Sequence, residues 1–407
     1  MTDSGVFPGL DPSDQAADRI IMHVDNDCFY ASCERLREPQ LRGEPLVIGM
    51  GYDADDAKGA VATASYEARA YGVESAQPIS EAIERLPPRD DADDEANSAY
   101  YRPVDMAYYE SVAAEIKAIL ESAADVVRHV SIDEAYLDCT AVTTWATAEA
   151  YATRLKGQIQ TEVGVPVSVG VGPTMGVAKV ASDLDKPDGL TIVRPEEIGD
   201  VVHPLPIEQL HGIGPVTAHE LRGAGLETIG DLAGQDPSWL AERLGDRGRE
   251  LSRRARGADT QPVTPRGDPK SLSRESAVDS RDASVDDIEA VITDLGRSVA
   301  DRAVRHGATY RTIGIKVVTP PYEVSTRETT LSGPVDDADL VVRTALSLFE
   351  EFHDERVRKV GVRVSNLSFA AGDQAQLGTW STSSRKPTFH PSHRTDGQAT
   401  LADFIEK

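Results

Sequence analysis

The chain has 407 residues, with 68 acidic against 42 basic side chains and a formal net charge of −26. This length allows several domains with a large buried core, and the charge excludes a uniformly basic nucleic-acid-binding protein. An acidic surface with few lysines and only 5% aromatic residues is typical of a protein that stays soluble in very high salt. The alternative is an ordinary acidic cytosolic enzyme.

The three cysteines, Cys28, Cys33 and Cys139, predict neither a disulfide framework nor a CxxC metal site, which indicates reduced intracellular thiols. The sequence contains no apolar run long enough for a membrane span and no secretion leader. We therefore expect a cytoplasmic protein that has no contact with membranes. Residues 1–18 are polar and acidic and are predicted to form a disordered tail.

From residue 19 to residue 193 the hydrophobic pattern predicts strands and helices of a mixed α+β fold. Ser80 is the expected cap of one helix. The acidic run over 90–97 is either a metal site or, as consecutive like charges favour, a solvated loop. The predicted strands cover 19–25, 44–49, 59–65, 126–131, 135–138 and 166–171, and the predicted helices cover 29–36, 66–71, 80–86, 106–120, 146–163 and 175–184.

Residues 194–257 are predicted to be helices joined by glycine turns. Gly212 and Gly214 lie in a hairpin that opens a helix, an arrangement that presents backbone N–H groups to a phosphate. The spacing resembles a helix-hairpin-helix motif, and the alternative is a plain helical turn. Residues 258–269 are polar and proline-rich and are predicted to form a linker.

Residues 270–370 form a second α+β unit, with strands predicted over 271–278, 309–319, 323–331 and 358–369 and helices over 285–306 and 338–352. Several cations lie on or beside these strands, and we expect them to form a positive face that binds DNA. They are Lys270, Arg274, Arg311, Lys316, Arg327 and Arg363. Residues 371–397 are polar, rich in Gly, Ser and Pro, and predicted to be disordered.

Two pairs of carboxylates suggest a metal site. Asp133 and Glu134 are adjacent in a predicted β-hairpin, and Asp25 and Asp27 follow the first apolar strand. Acids at the ends of two strands repel each other unless a cation lies between them, and a divalent metal is the usual solution.

Four motifs occur together and in order: 25–31 (DNDCFYA), 63–69 (TASYEAR), 131–138 (SIDEAYLD) and 179–189 (KVASDLDKPDG). This set resembles the Y-family DNA polymerases, in particular the DNA polymerase IV (DinB) branch, and the acidity is similar to that of haloarchaeal proteins. The resemblance implies a right-hand polymerase. The palm would be 19–28 and 99–193, the fingers 29–98, the thumb 194–257, and the little finger 270–370.

The resemblance also implies a site for two Mg²⁺ ions. Asp25 and Asp133 would bridge them, Glu134 would bind the ion nearest the primer, and the Asn26 carbonyl would be a further ligand. Asn26 departs from the apolar residue usual in the family, a change that a carbonyl ligand tolerates. Phosphoryl transfer by two metals about 4 Å apart fits this ligand set, and Asp27 is expected to be structural.

Further residues would bind a deoxynucleoside triphosphate. Tyr66, Arg69 and Lys186 would contact the β- and γ-phosphates, with Phe29 and Thr63 also in the nucleotide pocket. Tyr30 would be the steric gate that excludes a 2′-hydroxyl. Small side chains at Ala60 and Ala62 would form an open roof over the template base, which implies lesion bypass at low fidelity. Met175 and Gly176 replace an Asn-Lys pair that is common in the family, so any contact by that pair is lost here.

The last residues contain Gln398, Leu401, Phe404 and Ile405, whose spacing resembles a box that binds a sliding clamp of the PCNA type. An amphipathic terminal segment is the alternative. The expected function is template-directed translesion DNA synthesis by a monomer, with primer-template DNA, dNTP and the clamp as partners. A silent DNA-binding adaptor would not need the acids and phosphate contacts, and a nucleotidyl cyclase would not need the thumb.

Overall fold

The computed structural model of the chain describes residues 19–52, 59–91, 95–278 and 283–369. The predicted tails, the centre of the acidic run and the predicted clamp box over 398–405 lie outside these residues. Two compact units divide between Arg266 and Gly267, inside the predicted linker. No helix in the described part of the chain is long and apolar enough to cross a membrane.

The first part of unit 1 alternates short strands and helices. In chain order they are β1 Ile21–Asn26, α1 Phe29–Arg37, β2 Leu46–Met50, β3 Ala60–Ala64, α2 Tyr66–Arg69, α3 Ile79–Arg85, β4 Tyr100–Pro103, α4 Met106–Ala123, β5 Val126–His129, β6 Glu134–Asp138, α5 Ala148–Glu162, β7 Val167–Gly172, α6 Met175–Asp183 and β8 Leu190–Ile192. Most agree with the predicted elements to within a few residues. The short strands β4 and β8 were not predicted.

Five strands form the central sheet in the order β5-β6-β1-β7-β8, and only the β7–β8 pair is parallel. One face packs on α4 and α5 through a core that includes Met22, Val24, Tyr109 and Leu155. Helix α6 lies against β7 and β1. Gly170 on β7 allows this close approach, because a Cβ there would lie 2.1 Å from the carbonyl oxygen of Ala178.

A smaller sheet of order β3-β2-β4 follows α1 in the chain and packs with α2 and α3 around its own apolar core. The prediction that Ser80 caps a helix is wrong. The helix begins one residue earlier, at Ile79, and follows Pro78, so Ser80 lies inside its first turn. Proline before the first turn fixes the entry of the chain without needing a side-chain cap.

The rest of unit 1 is helical, as predicted: α7 Ile198–Val201, α8 Pro215–Gly223, α9 Ile229–Gly234, α10 Pro237–Leu244 and α11 Asp246–Ala255. These helices share a core with Val177 and Val180 of α6, so α6 is packed between the sheet and the helical part. Residues 258–266 form no helix or strand. They are held against the sheet, because Val263 is buried beside Ile21 and Tyr136.

Unit 2 contains β9 Ser271–Ala277, α12 Val285–Arg305, β10 Thr309–Thr319, β11 Glu323–Val335, α13 Ala338–Phe349 and β12 Lys359–Ser368. The strands form an antiparallel sheet of order β11-β10-β12-β9. Both helices cover one face of this sheet, over a core that includes Ile313, Val362 and Phe349. The opposite face of the sheet is not covered by any helix of the described part of this unit.

The expectation that the cations of unit 2 share one face is wrong for Arg274 and Arg327. Arg274 pairs in register with Val362 and donates to the Ser298 hydroxyl of α12 at 2.5 Å. Arg327 pairs in register with Ile315, and its guanidinium lies 2.5 Å from Glu351. Alternation along a strand therefore places both on the side that the helices cover.

Candidate active site

The predicted carboxylates meet at one end of the central sheet. Asp25 on β1 lies opposite Glu134, the first residue of β6, and Asp133 lies in the turn that joins β5 to β6. The backbone N–H of Asn26 donates to the Asp133 carbonyl at 2.9 Å, which holds this turn against β1. Three acids that are far apart in the sequence are thus neighbours in the fold.

Two lysines approach Asp25. Its Oδ2 atom lies 2.9 Å from Nζ of Lys179 on α6 and 2.8 Å from Nζ of Lys186, just beyond the helix. Lys179 also lies 3.4 Å from Glu134. Both ammonium groups contact Asp183, at 3.4 and 2.8 Å. Only Lys186 was predicted, so Lys179 and Asp183 are additions to the site.

A buried histidine supports Glu134. His23 is 1% exposed, with Nδ1 2.8 Å from the Ser182 hydroxyl and Nε2 3.2 Å from Oε2 of Glu134. Burial is the main cause that lowers the pKa of His23, so the ring is neutral and carries a single N–H. A carboxylate can only accept, so that proton lies on Nε2 and the Ser182 hydroxyl donates to Nδ1.

The charges of the site shift its carboxyl pKa values in opposite directions. Burial raises the pKa of Asp25, but Lys179 and Lys186 together outweigh it and lower the pKa below the ordinary range. The hydrogen bond from His23, together with Lys179, lowers the pKa of Glu134 to about 2. Burial and the neighbouring acids raise the pKa of Asp133. The site therefore needs a further cation to hold all three carboxylates ionised.

The donor set fits a divalent metal. Ligand atoms of His23, Asp25 and Glu134 lie within 4.8 Å of one another, and the carboxylate oxygens are of the kind that Mg²⁺ prefers. The two ammonium groups on Asp25 supply positive charge at the same place. Asp133 lies outside this group, because its carboxylate accepts from the Ser131 hydroxyl. The Asn26 side-chain oxygen is buried without a hydrogen-bond partner in the described chain.

The predicted steric gate lies beside these acids. Phe29 and Tyr30 begin α1, which follows β1 directly. The Tyr30 ring stacks on Tyr109 at 4.7 Å between centroids with 16° between planes. Burial and the charge of Asp133 raise the pKa of Tyr30. The ring is thus held rigidly, and its hydroxyl stays protonated.

The predicted phosphate contacts begin α2. Tyr66 is partly buried, and its hydroxyl donates to Asp27 at 3.0 Å. Arg69 is exposed, with its guanidinium 4.9 Å from the centroid of the Tyr66 ring. Thr63, Ala60 and Ala62 lie on the preceding strand β3, partly exposed. The small side chains leave that strand open above α1.

Asp27 is a structural centre, in agreement with expectation. Besides Tyr66, it accepts from the Ser168 hydroxyl at 2.9 Å and from the backbone N–H of Asp188 at 2.8 Å. Asp188 follows Lys186 by two residues, and Lys156 of α5 ion-pairs with it at 3.1 Å. These contacts fix the loop that carries Lys186.

The predicted hairpin for DNA backbone lies in the helical part of unit 1. Gly212 has φ +98°, a conformation that favours glycine, and Gly214 precedes Pro215, the first residue of α8. Val216 in the first turn is 80% exposed. Arg254 lies at Gly176, within 3.8 Å of where a Cβ would be, and donates to the His211 carbonyl at 3.1 Å.

Residues that the sequence reasoning missed are His23, Lys179, Ser182 and Asp183. A signal was present for each. His23 is two residues before Asp25 and therefore on the same face of the strand. Lys179 and Asp183 are four apart on a helix and lie in the same motif as Lys186.

Comparisons with known proteins agree with this geometry. A model of the impB/mucB/samB family matches residues 24–183, and a model of the C-terminal domain of that family matches residues 269–378. A DNA polymerase IV from Halobacterium salinarum is 57% identical over 364 residues, which are 89% of this chain and 89% of the relative. One from Methanoculleus marisnigri is 39% identical over 360 residues, 88% of this chain and 97% of the relative.

A Bacillus subtilis protein, DNA polymerase IV 1, is 33% identical over 352 residues, 86% of this chain and 82% of the relative. Among solved structures, a Y-family DNA polymerase chimera of Dbh and Dpo4 is similar with a TM-score of 0.74 and 28% identity, over 86% of this chain and 99% of that one. The chain therefore belongs to the impB/mucB/samB family, the Y-family DNA polymerases, and is a translesion DNA-directed DNA polymerase.

Proposed function

We propose that Asp25, Asp133 and Glu134, with the Asn26 carbonyl, hold two Mg²⁺ ions for the addition of a deoxynucleotide to a primer 3′ end. Bound there, the metal activates the primer hydroxyl and neutralises the triphosphate. The observation that carries the proposal is the pairing of Asp25 with Glu134 across adjacent strands, beneath two lysines. Carboxylates so placed attract cations from either side.

The protein's own groups position the nucleotide. Arg69 is exposed at the end of a one-turn helix and suits a bidentate grip on phosphate. Lys186 is held within 2.8 Å of Asp25, so its ammonium can neutralise a triphosphate bound beside the acids. Tyr66 reaches the same place by moving its hydroxyl from Asp27 to a phosphate oxygen, while Asp27 keeps its two other donors.

The sugar and the base meet different surfaces. Tyr30, braced by Tyr109, is the steric gate against the 2′-hydroxyl, with Phe29 behind it. Ala60 and Ala62 on β3, with Thr63, make a pocket roof of small side chains. Such a roof accepts distorted template bases and tests pair shape poorly, so synthesis past lesions has low fidelity.

DNA is held away from the acids. The hairpin at Gly212 and Gly214 offers backbone N–H groups to phosphates without reading sequence. In unit 2, Lys316 and Arg363 lie on the uncovered face of the sheet, and Lys270 and Arg311 are exposed. We assign 19–28 and 99–193 to the palm, 29–98 to the fingers, 194–257 to the thumb and 270–370 to the little finger. The protein acts as a cytoplasmic monomer.

Primer extension on a defined template tests the catalytic assignment. Asp25→Asn and Glu134→Gln should each lower the single-turnover rate by about a hundredfold or more, since each removes charge stabilisation of several kcal/mol. Asp138→Asn, at the other end of β6, is the matched control and should extend at the wild-type rate. Wild-type extension by Asp25→Asn would refute the site.

A second test concerns the C-terminal segment. Gln398, Leu401, Phe404 and Ile405 would bind a PCNA-type clamp, which raises the effective concentration at the primer end. Removing residues 398–407 should reduce clamp-stimulated synthesis much more than extension without the clamp. Equal loss in the two assays would contradict a clamp-binding role.

A further inference from the structure

The uncovered face of the unit 2 sheet carries a compact charge cluster. Lys316 on β10, Gly361 on β12 and Glu275 on β9 lie in one row across three strands. Lys359, two residues before Gly361 on β12, shares the same face. The core residues Ile315, Val317 and Val360 point to the other side, towards the helices.

Glu275 bridges the two lysines. One carboxylate oxygen lies 3.2 Å from Nζ of Lys316, and the other lies 2.7 Å from Nζ of Lys359. The three side chains are between 21% and 27% exposed. Burial alone would raise the pKa of Glu275, but Lys359 and Lys316 outweigh it and lower the pKa, so the group is ionised at neutral pH.

A glycine makes room for this bridge. A Cβ on Gly361 would lie 2.6 Å from Cγ of Glu275, so any larger residue would push the Glu275 side chain off the strand between the lysines. The carboxylate therefore lies flat on the sheet, at a position where a two-oxygen anion meets two ammonium groups. A DNA phosphate presents the same chemistry, with two charged oxygens.

Other charges on this face are not bridged in the same way. Arg363 is exposed and, among the described residues, no carboxylate ion-pairs with it. Glu328 lies beside Gly314 on the same face and is exposed. No lysine or arginine of the described chain ion-pairs with Glu328. Glu275 and Glu328 thus carry equal charge on one face, and only Glu275 occupies two lysines.

We propose that Glu275 is an internal competitor for DNA: its carboxylate holds Lys316 and Lys359 in the place of a backbone phosphate and so limits the affinity of this face. The inference rests on the proposed binding of DNA by the uncovered face. Binding a phosphate there exchanges one ion pair for another, so the two lysines release fewer counterions than two free lysines would.

Removing the competitor has a quantitative signature. Each additional phosphate contact steepens the plot of log K against log salt by about 0.9. Glu275→Gln should therefore steepen the slope by about 0.9 to 1.8. Its gain in affinity should be about 8-fold larger, per contact, at the low end of a tenfold salt range than at the high end.

The experiment measures primer-template binding by the full chain, by fluorescence anisotropy across a tenfold range of KCl in which circular dichroism shows every variant folded. Glu275→Gln is compared with Glu328→Gln, which removes the same charge from the same face without freeing a lysine. Glu275→Thr is a second variant that suits a strand. We expect tighter binding and a steeper slope for both Glu275 variants, and a wild-type slope for Glu328→Gln.

A third protein, Lys316→Gln/Lys359→Gln, separates the two claims. If it binds DNA more weakly and Glu275→Gln behaves like Glu328→Gln, the competitor is refuted and the DNA-binding face stands. If the double lysine variant binds like wild type, the face itself is refuted, and the inference with it. If the competitor is real, adding Glu275→Gln to the double lysine variant produces no gain.

Discussion

His23 offers a sharp test of how the fold prepares the acidic site. Its Nε2–H donates to Glu134, and its Nδ1 accepts from Ser182, so replacing it with leucine removes the donor and keeps most of the volume. A hydrogen bond to a charged group contributes about 1.5–3 kcal/mol, and the loss of a group that orients a metal ligand costs about 10- to 100-fold in metal affinity or activity.

We therefore expect His23→Leu to weaken divalent-ion binding by about 10- to 100-fold, with a similar fall in kcat at limiting metal. Mn²⁺ titration followed by electron paramagnetic resonance, on the enzyme with bound primer-template, measures the affinity without turnover. His23→Gln places an amide N–H near the position of Nε2 and should recover most of the loss. The affinity for primer-template should be unchanged in both variants.

Two results would overturn this reasoning. A folded His23→Leu protein with wild-type metal affinity would show that Glu134 needs no support from the ring. Equal losses in His23→Leu and His23→Gln would show that packing, rather than the donated hydrogen bond, is what matters. Ser182→Ala supplies an intermediate case, because it frees the tautomer and leaves the ring in place.

Three further predictions concern the gate, the packing of α6 and acid stability. Tyr30→Ala should admit ribonucleotides, and an unchanged dNTP-to-rNTP ratio in single-nucleotide incorporation would contradict the gate. Gly170→Ala should lower the melting temperature because its Cβ would overlap the Ala178 carbonyl, whereas Gly157→Ala, in an open helical position, should stabilise by about 0.5–1 kcal/mol. The pKa of Glu134, lowered to about 2, stabilises the fold above the ordinary Glu pKa, and this stability is lost as pH falls towards 2. The acid unfolding curve of Glu134→Gln should accordingly be flatter than that of the wild type over that window.

Elements with strong periodicity were predictable from the sequence alone. The strand Thr309–Thr319 was predicted with its observed bounds, because alternation over eleven residues leaves no other choice of period. The strand Leu190–Ile192 was missed, since three residues carry no period, and it forms only by pairing with β7. Short strands of this kind are defined by their neighbours in space.

The site divides in the same way. Asp25, Asp133 and Glu134 could be named because motif residues keep their order in the sequence, whatever the fold does between them. The contact of His23 with Glu134 depends on the register of β1 against β6. The positions of Arg274 and Arg327 likewise depend on strand register. Both cations were correctly placed on strands, but parity relative to the core, which no local pattern of polar residues reveals, put them on the side with the helices.

The balance of charge explains how so acidic a site can fold. Asp25, Glu134 and Asp183 converge on two ammonium groups, so the chain supplies part of the positive charge that adjacent acids need. Lys179 lies on a helix packed between the sheet and the helical part of unit 1, whereas Lys186 lies on a loop held through Asp27 and Asp188. An anionic nucleotide can therefore recruit Lys186 by a local movement of that loop. Lys179 stays behind to keep Asp25 and Glu134 ionised, because moving it would require repacking α6.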